Sequence, residues 1–229
     1  IGAGSFGKVF FGLNTTSGEL MAVKQIEYGG QPSASARSTA HALQREVRCL
    51  QSLQHANIVR YLGVERDDVS GVLSIFLEYC AGGSIASLLD KFGAFNEHLA
   101  ASYVRMVLFG LAYLHSKGIM HRDIKGANVL VDSVGVCKLA DFGASKVLQQ
   151  DLLSTTTGTA DGINNNSLRG TPYWMAPEVI KQTGHGMPAD VWSLGCTLIE
   201  MLTAKPPWAN FPSQISALFH IASSKDPPP

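Results

Sequence analysis

The apolar residues in the first third of the chain come in short runs that are rich in aromatic and β-branched side chains. Two such runs, at residues 8–14 and 20–27, flank the polar turn sequence TTSGE. Two more, at residues 58–65 and 72–80, are joined by a segment rich in Asp, Ser and Gly. Runs of this kind, separated by polar turns, are typical of paired β-strands. We therefore predict a small antiparallel sheet in this part of the chain.

After these runs the apolar positions recur at intervals of three and four, the spacing of one face of an α-helix. The longest such helix is predicted to begin after Asn96, whose side chain can cap it, and to end before Gly118. Two short strands at residues 128–132 and 136–141 follow it, folded about the turn sequence SVG. Strands first and helices afterwards predict an α+β protein. The inner face of the long helix is formed by Leu99, Tyr103, Val107, Leu111 and Leu114.

A further helix is predicted between the two strand pairs. Residues 28–38 are rich in Gly and Ser and are typical of a flexible connection, and a Ser-Thr pair at its end can cap the helix. Glu46 lies three and four positions from apolar neighbours, so its carboxylate shares their inner side. A buried carboxylate needs a partner, and Lys24, at the end of the preceding strand, is the candidate.

Composition and charge exclude several classes of protein. Hydrophobic residues make up 45% of the 229, as in a globular protein. No stretch approaches the run of about 18 apolar residues that crosses a bilayer, so we expect no membrane insertion. Eighteen basic residues balance eighteen acidic ones, so no overall field draws the chain to nucleic acid, and we expect no nucleic-acid partner. Any binding of phosphate must therefore be local.

The cysteine spacing indicates the compartment. The four cysteines lie far apart and form no C-x-x-C pair, which fits neither a zinc site nor a disulfide framework. Reduced thiols are the default inside cells, so we expect a cytoplasmic protein. The cysteines are Cys49, Cys80, Cys137 and Cys196.

Three glycines at the start of the chain, Gly2, Gly4 and Gly7, form a G-x-G-x-x-G motif, a weak signal that several nucleotide-binding folds share. A dinucleotide-binding fold needs a helix to begin here, whereas residues 8–14 favour a strand. We therefore predict that the glycines join two strands of a hairpin. Without side chains, their backbone amides can approach a phosphate closely.

The motif HRDIKGANVL at residues 121–130 places His, Arg, Asp and Lys within five positions. A short charged run is more often an ordinary solvated loop, so the neighbouring motifs must decide its meaning. Those motifs are Asp141-Phe142-Gly143, GTPYWMAPE at 170–178 and DVWSLGC at 190–196. Together with the glycine loop, the strand lysine and the helix glutamate, they resemble a eukaryotic protein kinase over essentially the whole chain.

The resemblance implies a bilobal fold, with a small sheet-based N-lobe at residues 1–79 and a helical C-lobe at residues 80–229. It also implies that most of the first strand and the last helices of the C-lobe are missing from this chain. ATP, Mg²⁺ and a protein acceptor are the expected partners of the reaction.

Phosphoryl transfer spreads negative charge over oxygen atoms and needs in-line placement of a hydroxyl, so a kinase supplies mainly position and positive charge. By resemblance, Asp123 orients the substrate hydroxyl and accepts its proton. Asn128 and Asp141 offer hard oxygen ligands to Mg²⁺. The ATP phosphates are expected against Gly2, Gly4, Gly7 and Lys24, and Glu46 is expected to fix Lys24.

Two residues of the motifs imply serine/threonine specificity. Lys125 resembles the lysine with which serine/threonine kinases contact the γ-phosphate. Thr171 is expected to hydrogen-bond near Lys125 and Asp123.

Other motif residues are expected to support the site. His121 should pack against Phe142 rather than move protons, and Asp190 should hold the backbone of the loop. Arg122 can clamp a phosphorylated activation segment, in which Ser167 is the best candidate for modification.

The adenine ring is expected between apolar residues of the two lobes, with Leu77 at the gatekeeper position. The apolar contacts are Ile1, Val9 and Ala22 above the ring and Leu130 below it, and the backbone contacts are Glu78 and Cys80.

Among the kinases, the sequences GGSIASLL and KLADFGASK are similar to the mitogen-activated protein (MAP) kinase kinase kinases. This similarity implies MAP kinase kinases as substrates. Germinal-centre-type kinases share much of GTPYWMAPEVI and remain an alternative. A second alternative is a non-catalytic pseudokinase, whose usual sign is a lost lysine, base or metal ligand. This chain retains all of these in Lys24, Asp123, Asn128 and Asp141.

Overall fold

The computed structural model describes residues 2–4, 7–27, 47, 51–67, 69–142, 145–147, 171–183, 186–224 and 227–228. Several predicted features lie outside these residues. They are most of the helix expected between the strand pairs, the candidate phosphorylation site Ser167 and the predicted site residues Ile1 and Glu46.

Among the described residues, five antiparallel strands form the first sheet, in the spatial order β1-β2-β3-β5-β4. The strand predicted at residues 20–27 has those bounds in the structure. The run at 58–65 becomes a strand only from Tyr61, because Ile58 is buried and bridges to Leu139 of a different sheet. The strands are β1 (Gly2–Gly4), β2 (Gly7–Leu13), β3 (Leu20–Glu27), β4 (Tyr61–Asp67) and β5 (Val72–Glu78).

The glycine motif forms a β-hairpin, as predicted. Gly4 pairs with Gly7 across the turn between β1 and β2. Gly7 has a φ of 146°, which side chains rarely adopt, and a Cβ there would collide with the backbone oxygen of Gln25. Glycine is therefore required at this position, and the strand that follows it leaves no place for a dinucleotide-binding helix.

Helices dominate the described chain after β5. Asn96 caps the longest one by accepting a hydrogen bond from the Leu99 amide at 2.9 Å, and the chain leaves it through Gly118 at a φ of 72°. Both ends are those expected from the sequence. Among the described helices, none is long and apolar enough to cross a membrane. The helices are α1 (Ile85–Phe92), α2 (Glu97–Ser116), α3 (Pro177–Ile180), α4 (Pro188–Thr203) and α5 (Gln214–Ser223).

Short strands hold the loop of the HRD motif. A three-stranded sheet has the order β6-β8-β9, and β7 pairs with β10. One apolar core joins both parts of the molecule, since Ile26 and Ile75 of the large sheet belong to the same cluster as Val107 and Leu111 of α2. The strands are β6 (Gly83–Ser84), β7 (Ile119–Met120), β8 (Val129–Val131), β9 (Cys137–Leu139) and β10 (Lys146–Val147).

Candidate active site

Asp190, near the start of α4, holds the loop between β7 and β8 in place. Its carboxylate accepts hydrogen bonds from the backbone amides of His121, at 3.0 Å, and Arg122, at 2.8 Å. The ring Nε2 of His115 lies 2.8 Å from the same carboxylate. Arg122 has a φ of 71°, a conformation that costs a non-glycine residue free energy. Asp190 therefore stabilises this loop in a strained backbone conformation, and it holds the backbone as the resemblance implied.

The environment of Asp190 favours its ionised form. Burial raises the pKa of this carboxyl, but the hydrogen bonds from His115 and from the Arg122 and His121 amides, with the nearby His121 ring, bring the pKa below its ordinary value of 3.8. Hydrogen bonds to a carboxylate thus outweigh its desolvation here.

The carboxylate of Asp123 is the centre of a hydrogen-bond network. Lys125 donates to its Oδ2 at 2.8 Å, and the hydroxyl of Thr171 donates to its Oδ1 at 3.0 Å. Lys125 also contacts the Thr171 hydroxyl at 2.5 Å. The amide Nδ2 of Asn128 donates to both the Oδ2 and the backbone oxygen of Asp123, each at 2.8 Å. The structure therefore brings together all four residues that the sequence proposed for catalysis.

His121 lies in the core of this loop. Its ring is fully buried, 5.2 Å from the ring of Phe142, and its Nε2 lies 3.1 Å from the Ala140 backbone oxygen. These contacts agree with the packing role expected for His121.

A second charged pair lies beside this network. Lys24, 7% exposed on β3, forms an ion pair of 2.9 Å with Asp141. A backbone hydrogen bond connects this ion pair to the Asp123 network, because the Ala140 amide donates to the Asn128 backbone oxygen at 2.9 Å. Asp141 follows Ala140 directly, with a φ of 62°. Lys24 and Asp141 thus lie next to the Asp123 network, which is the arrangement that a phosphate-binding cleft requires.

The donor atoms at this place suit a hard divalent cation. Both hydrogen bonds from the Asn128 side chain use its nitrogen, so its oxygen Oδ1 is the atom with lone pairs to offer. Asp141 adds a carboxylate that is about one-third exposed. One carboxylate and one amide oxygen, with phosphate and water completing the shell, is a donor set typical of Mg²⁺.

The residues predicted around adenine converge from several elements. Cys80, Leu77 and Leu130 pack in one apolar cluster with Val59 and Ala140. Three predicted contacts lie on the adjoining strands, where Val9 pairs with Lys24, Ala22 pairs with Leu77, and Glu78 ends β5. Burial raises the pKa of the Cys80 thiol to about 12, so it remains protonated at neutral pH.

Glu200 is a buried residue of the site that no sequence motif indicated. Its Oε2 accepts hydrogen bonds from the Gly126 amide, at 2.8 Å, and from the Trp174 indole, at 3.0 Å. Burial raises the pKa of Glu200 above its ordinary value of 4.5, and these two hydrogen bonds act in the opposite direction. The available signal was a single acidic residue in the apolar sequence LIEML, but its partners are remote in sequence. Glu200 connects the loop of the HRD motif to the GTPYW segment.

We expect Gly126→Ala to lower the free energy of unfolding by about 1 to 3 kcal/mol. A Cβ at Gly126 would lie 2.5 Å from Oε1 of Glu200. Glu200 could move away only by losing its two buried hydrogen bonds, so the added methyl group cannot be accommodated cheaply. Denaturant titration measures the change.

Gly195→Ala is the matched control for this substitution. Gly195 lies within α4 with open space around its Cβ position, so alanine there should stabilise by about 0.5 to 1 kcal/mol. If the two alanine variants changed stability alike, the contact between Gly126 and Glu200 would not be the cause.

Comparison with known proteins agrees with this geometry. The chain is 52% identical over 231 residues to mitogen-activated protein kinase kinase kinase 2 of Arabidopsis thaliana, covering 100% of the chain and 34% of that protein. It is 48% identical over 229 residues to mitogen-activated protein kinase kinase kinase A of Dictyostelium discoideum, covering 100% and 23%. It is 45% identical over 228 residues to mitogen-activated protein kinase kinase kinase 3 of Homo sapiens, covering 100% and 35%.

The chain therefore spans about a third or less of the length of these relatives. A family model described as the protein kinase domain matches residues 1–226, nearly its full length. The α+β fold with an antiparallel N-terminal sheet and a helical second part, expected from the resemblance, is confirmed, and the chain belongs to the protein kinase domain family.

Proposed function

We propose that this chain transfers the γ-phosphoryl group of ATP to serine or threonine residues of MAP kinase kinases. The observation that carries the proposal is the position of Lys125, whose ammonium contacts both the Asp123 carboxylate and the Thr171 hydroxyl. This arrangement supports the proposal, because phosphoryl transfer to a hydroxyl needs a base and a positive charge close to each other.

In this proposal each side chain has a defined task. Asp123 orients the substrate hydroxyl and accepts its proton as the new oxygen–phosphorus bond forms and the bond from the γ-phosphorus to the departing ADP breaks. Lys125 stabilises negative charge on the phosphoryl oxygens. Thr171 and Asn128 hold the Asp123 carboxylate in one orientation, so it is positioned before the substrate arrives. Lys24, on the central strand β3, binds the other phosphates.

Asn128 and Asp141 would hold Mg²⁺ through the amide oxygen and the carboxylate. When bound, the ion would offset the negative charge of the phosphates. The same two residues are connected to Asp123 and Lys24, so the metal site and the base are built on one framework.

The substrate class rests on the relatives. All three proteins described above are named mitogen-activated protein kinase kinase kinases, a name that implies phosphorylation of MAP kinase kinases. The three described cysteines, Cys80, Cys137 and Cys196, are buried and free, which supports a reducing compartment such as the cytoplasm.

The division into lobes belongs to the same proposal. We place the boundary between residues 79 and 80, directly after β5 ends at Glu78. Regulation by a phosphate on Ser167 that Arg122 would clamp remains a proposal from the sequence, because Ser167 lies outside the described residues.

Incubation with radiolabelled ATP, Mg²⁺ and a panel of kinase-inactive MAP kinase kinases tests the function. Label on serine or threonine of these proteins, dependent on Asp123, is the expected result. Label on a general serine/threonine substrate protein, but on none of the MAP kinase kinases, would favour the germinal-centre-type alternative. Binding of ATP without any transfer would favour a pseudokinase.

A further inference from the structure

The side chain of Lys138 forms an ion pair that the site described above does not use. Lys138 lies on β9 opposite Leu130 and is mostly buried. Its ammonium lies 3.1 Å from one carboxylate oxygen of Glu78 and 3.0 Å from the other. The side chains of Lys138 and Glu78 are 13% and 18% exposed, so little water screens the pair.

Glu78 also forms two hydrogen bonds with the backbone of Arg60. Its Oε1 accepts a hydrogen bond of 2.6 Å from the Arg60 amide, and its own amide donates to the Arg60 oxygen at 3.0 Å. Both carboxylate oxygens and the backbone amide of Glu78 are therefore engaged. The last residue of β5 is fixed in position together with its side chain.

The ion pair connects two different sheets. Glu78 ends β5 of the five-stranded sheet, whereas Lys138 belongs to the three-stranded one. Residues 57–60 run between them: the Val59 amide donates to the Leu139 oxygen at 3.0 Å, and the next residue, Arg60, pairs with Glu78. The pair thus closes a bridge of backbone hydrogen bonds from β9 to the end of β5.

Both ends of this bridge lead to atoms that would bind ATP. Glu78 and Cys80 carry the backbone groups predicted to contact adenine. Three residues beyond Lys138 lies Asp141, which pairs with Lys24 at 2.9 Å. The distance between the adenine contacts and the metal-binding carboxylate therefore depends on how β5 is held against β9.

We propose that Lys138 is a positioning residue for the nucleotide, which sets the adenine-binding backbone of Glu78 and Cys80 at a fixed distance from Asp141. Lys138 does not touch ATP in this proposal. It rests on the proposed function, because the adenine and metal contacts are assigned there. Preorganising both ends of the site lowers the free-energy cost of ordering it when the nucleotide binds.

Lys138→Met tests the inference, since methionine keeps the apolar stem of the side chain and removes its charge. We expect the Kd for ATP and the KM for ATP to rise about five- to tenfold, as remote positioning residues commonly do. The KM for the protein substrate and kcat should stay within about twofold of the wild type. Lys138→Arg, which can still bond both carboxylate oxygens, should restore ATP affinity. A merely structural lysine would not produce this split.

The controls separate this effect from loss of charge or loss of fold. Lys205→Met removes an exposed lysine and should leave ATP binding unchanged. If Lys138→Met does not fold, Glu78→Gln carries the test and should show the same rise in Kd. If Lys138→Met does fold, the double variant Lys138→Met/Glu78→Gln should bind ATP no more weakly than either single variant, because both substitutions remove the same ion pair.

Two results would overturn the inference. The first is a Kd for ATP of Lys138→Met, or of Glu78→Gln in its place, that equals the Kd of Lys205→Met. The second is a double variant whose loss of ATP affinity is the sum of the two single losses. Failure of the proposed function gives a different result, namely wild-type protein that binds ATP but transfers no phosphate.

Discussion

Asp123→Asn is expected to lower kcat about 10²- to 10⁴-fold while the protein stays folded and binds ATP. Asparagine has the shape of aspartate and can still accept a hydrogen bond from Lys125 or Thr171, so the local network is largely retained. It cannot accept a proton from a substrate hydroxyl, because its amide is not basic. The loss should therefore fall on the chemical step. Single-turnover phosphorylation at saturating ATP measures it, with ATP affinity titrated separately.

The matched control is Asp90→Asn, which makes the same chemical change at an exposed position of α1. It should leave kcat unchanged. An Asp123→Asn protein with a kcat close to that of this control would show that Asp123 is not the proton acceptor.

Asp190→Ala is expected to lower the free energy of unfolding by about 3 to 5 kcal/mol, a large share of the stability of a typical domain. The substitution removes the acceptor of two backbone amides and leaves His115 without its carboxylate partner. Buried donors without acceptors pay their full desolvation cost. The loop would also lose the contact that stabilises the positive φ of Arg122, so phosphorylation activity should fall together with stability.

Denaturant titration of Asp190→Ala beside Asp90→Ala provides the measurement. The exposed control should change stability by no more than about 0.5 kcal/mol. A loss of similar size in both variants would contradict the role of Asp190 as the support of the loop.

Acid should remove the contribution of Asp190 in the wild-type protein. Its pKa in the folded state is below the ordinary value of 3.8, because hydrogen bonds to the carboxylate outweigh the opposing effect of burial. The stabilisation is therefore complete above pH 3.8 and is lost as the pH falls through the folded-state pKa. The difference in unfolding free energy between wild type and Asp190→Asn should therefore become smaller as the pH falls from 3.8 through the folded-state pKa. A difference that stays constant over this pH range would contradict the prediction.

Elements whose signal is local were predictable from the sequence. The strand at residues 20–27 has the predicted bounds, because its composition and flanking turns specify it without reference to the rest of the chain. The cap at Asn96 and the pairing of Gly4 with Gly7 depend on backbone groups within a few residues. The motif residues Asp123, Lys125 and Asn128 lie on one short loop, so their proximity also followed from the sequence.

Contacts between remote segments could not be derived in this way. Glu200 lies 74 residues from Gly126, and Lys138 lies 60 residues from Glu78. Apolar periodicity indicates which face of an element is buried, but it does not specify the element on the other side of that face. The run that includes Ile58 shows the limit, because its apolar residues fitted one strand whereas the structure divides them between two sheets. The residues proposed for the chemistry of the site could thus be predicted from the order of residues along the chain. The contacts that hold them in place could not, because they depend on how distant parts of the chain pack together.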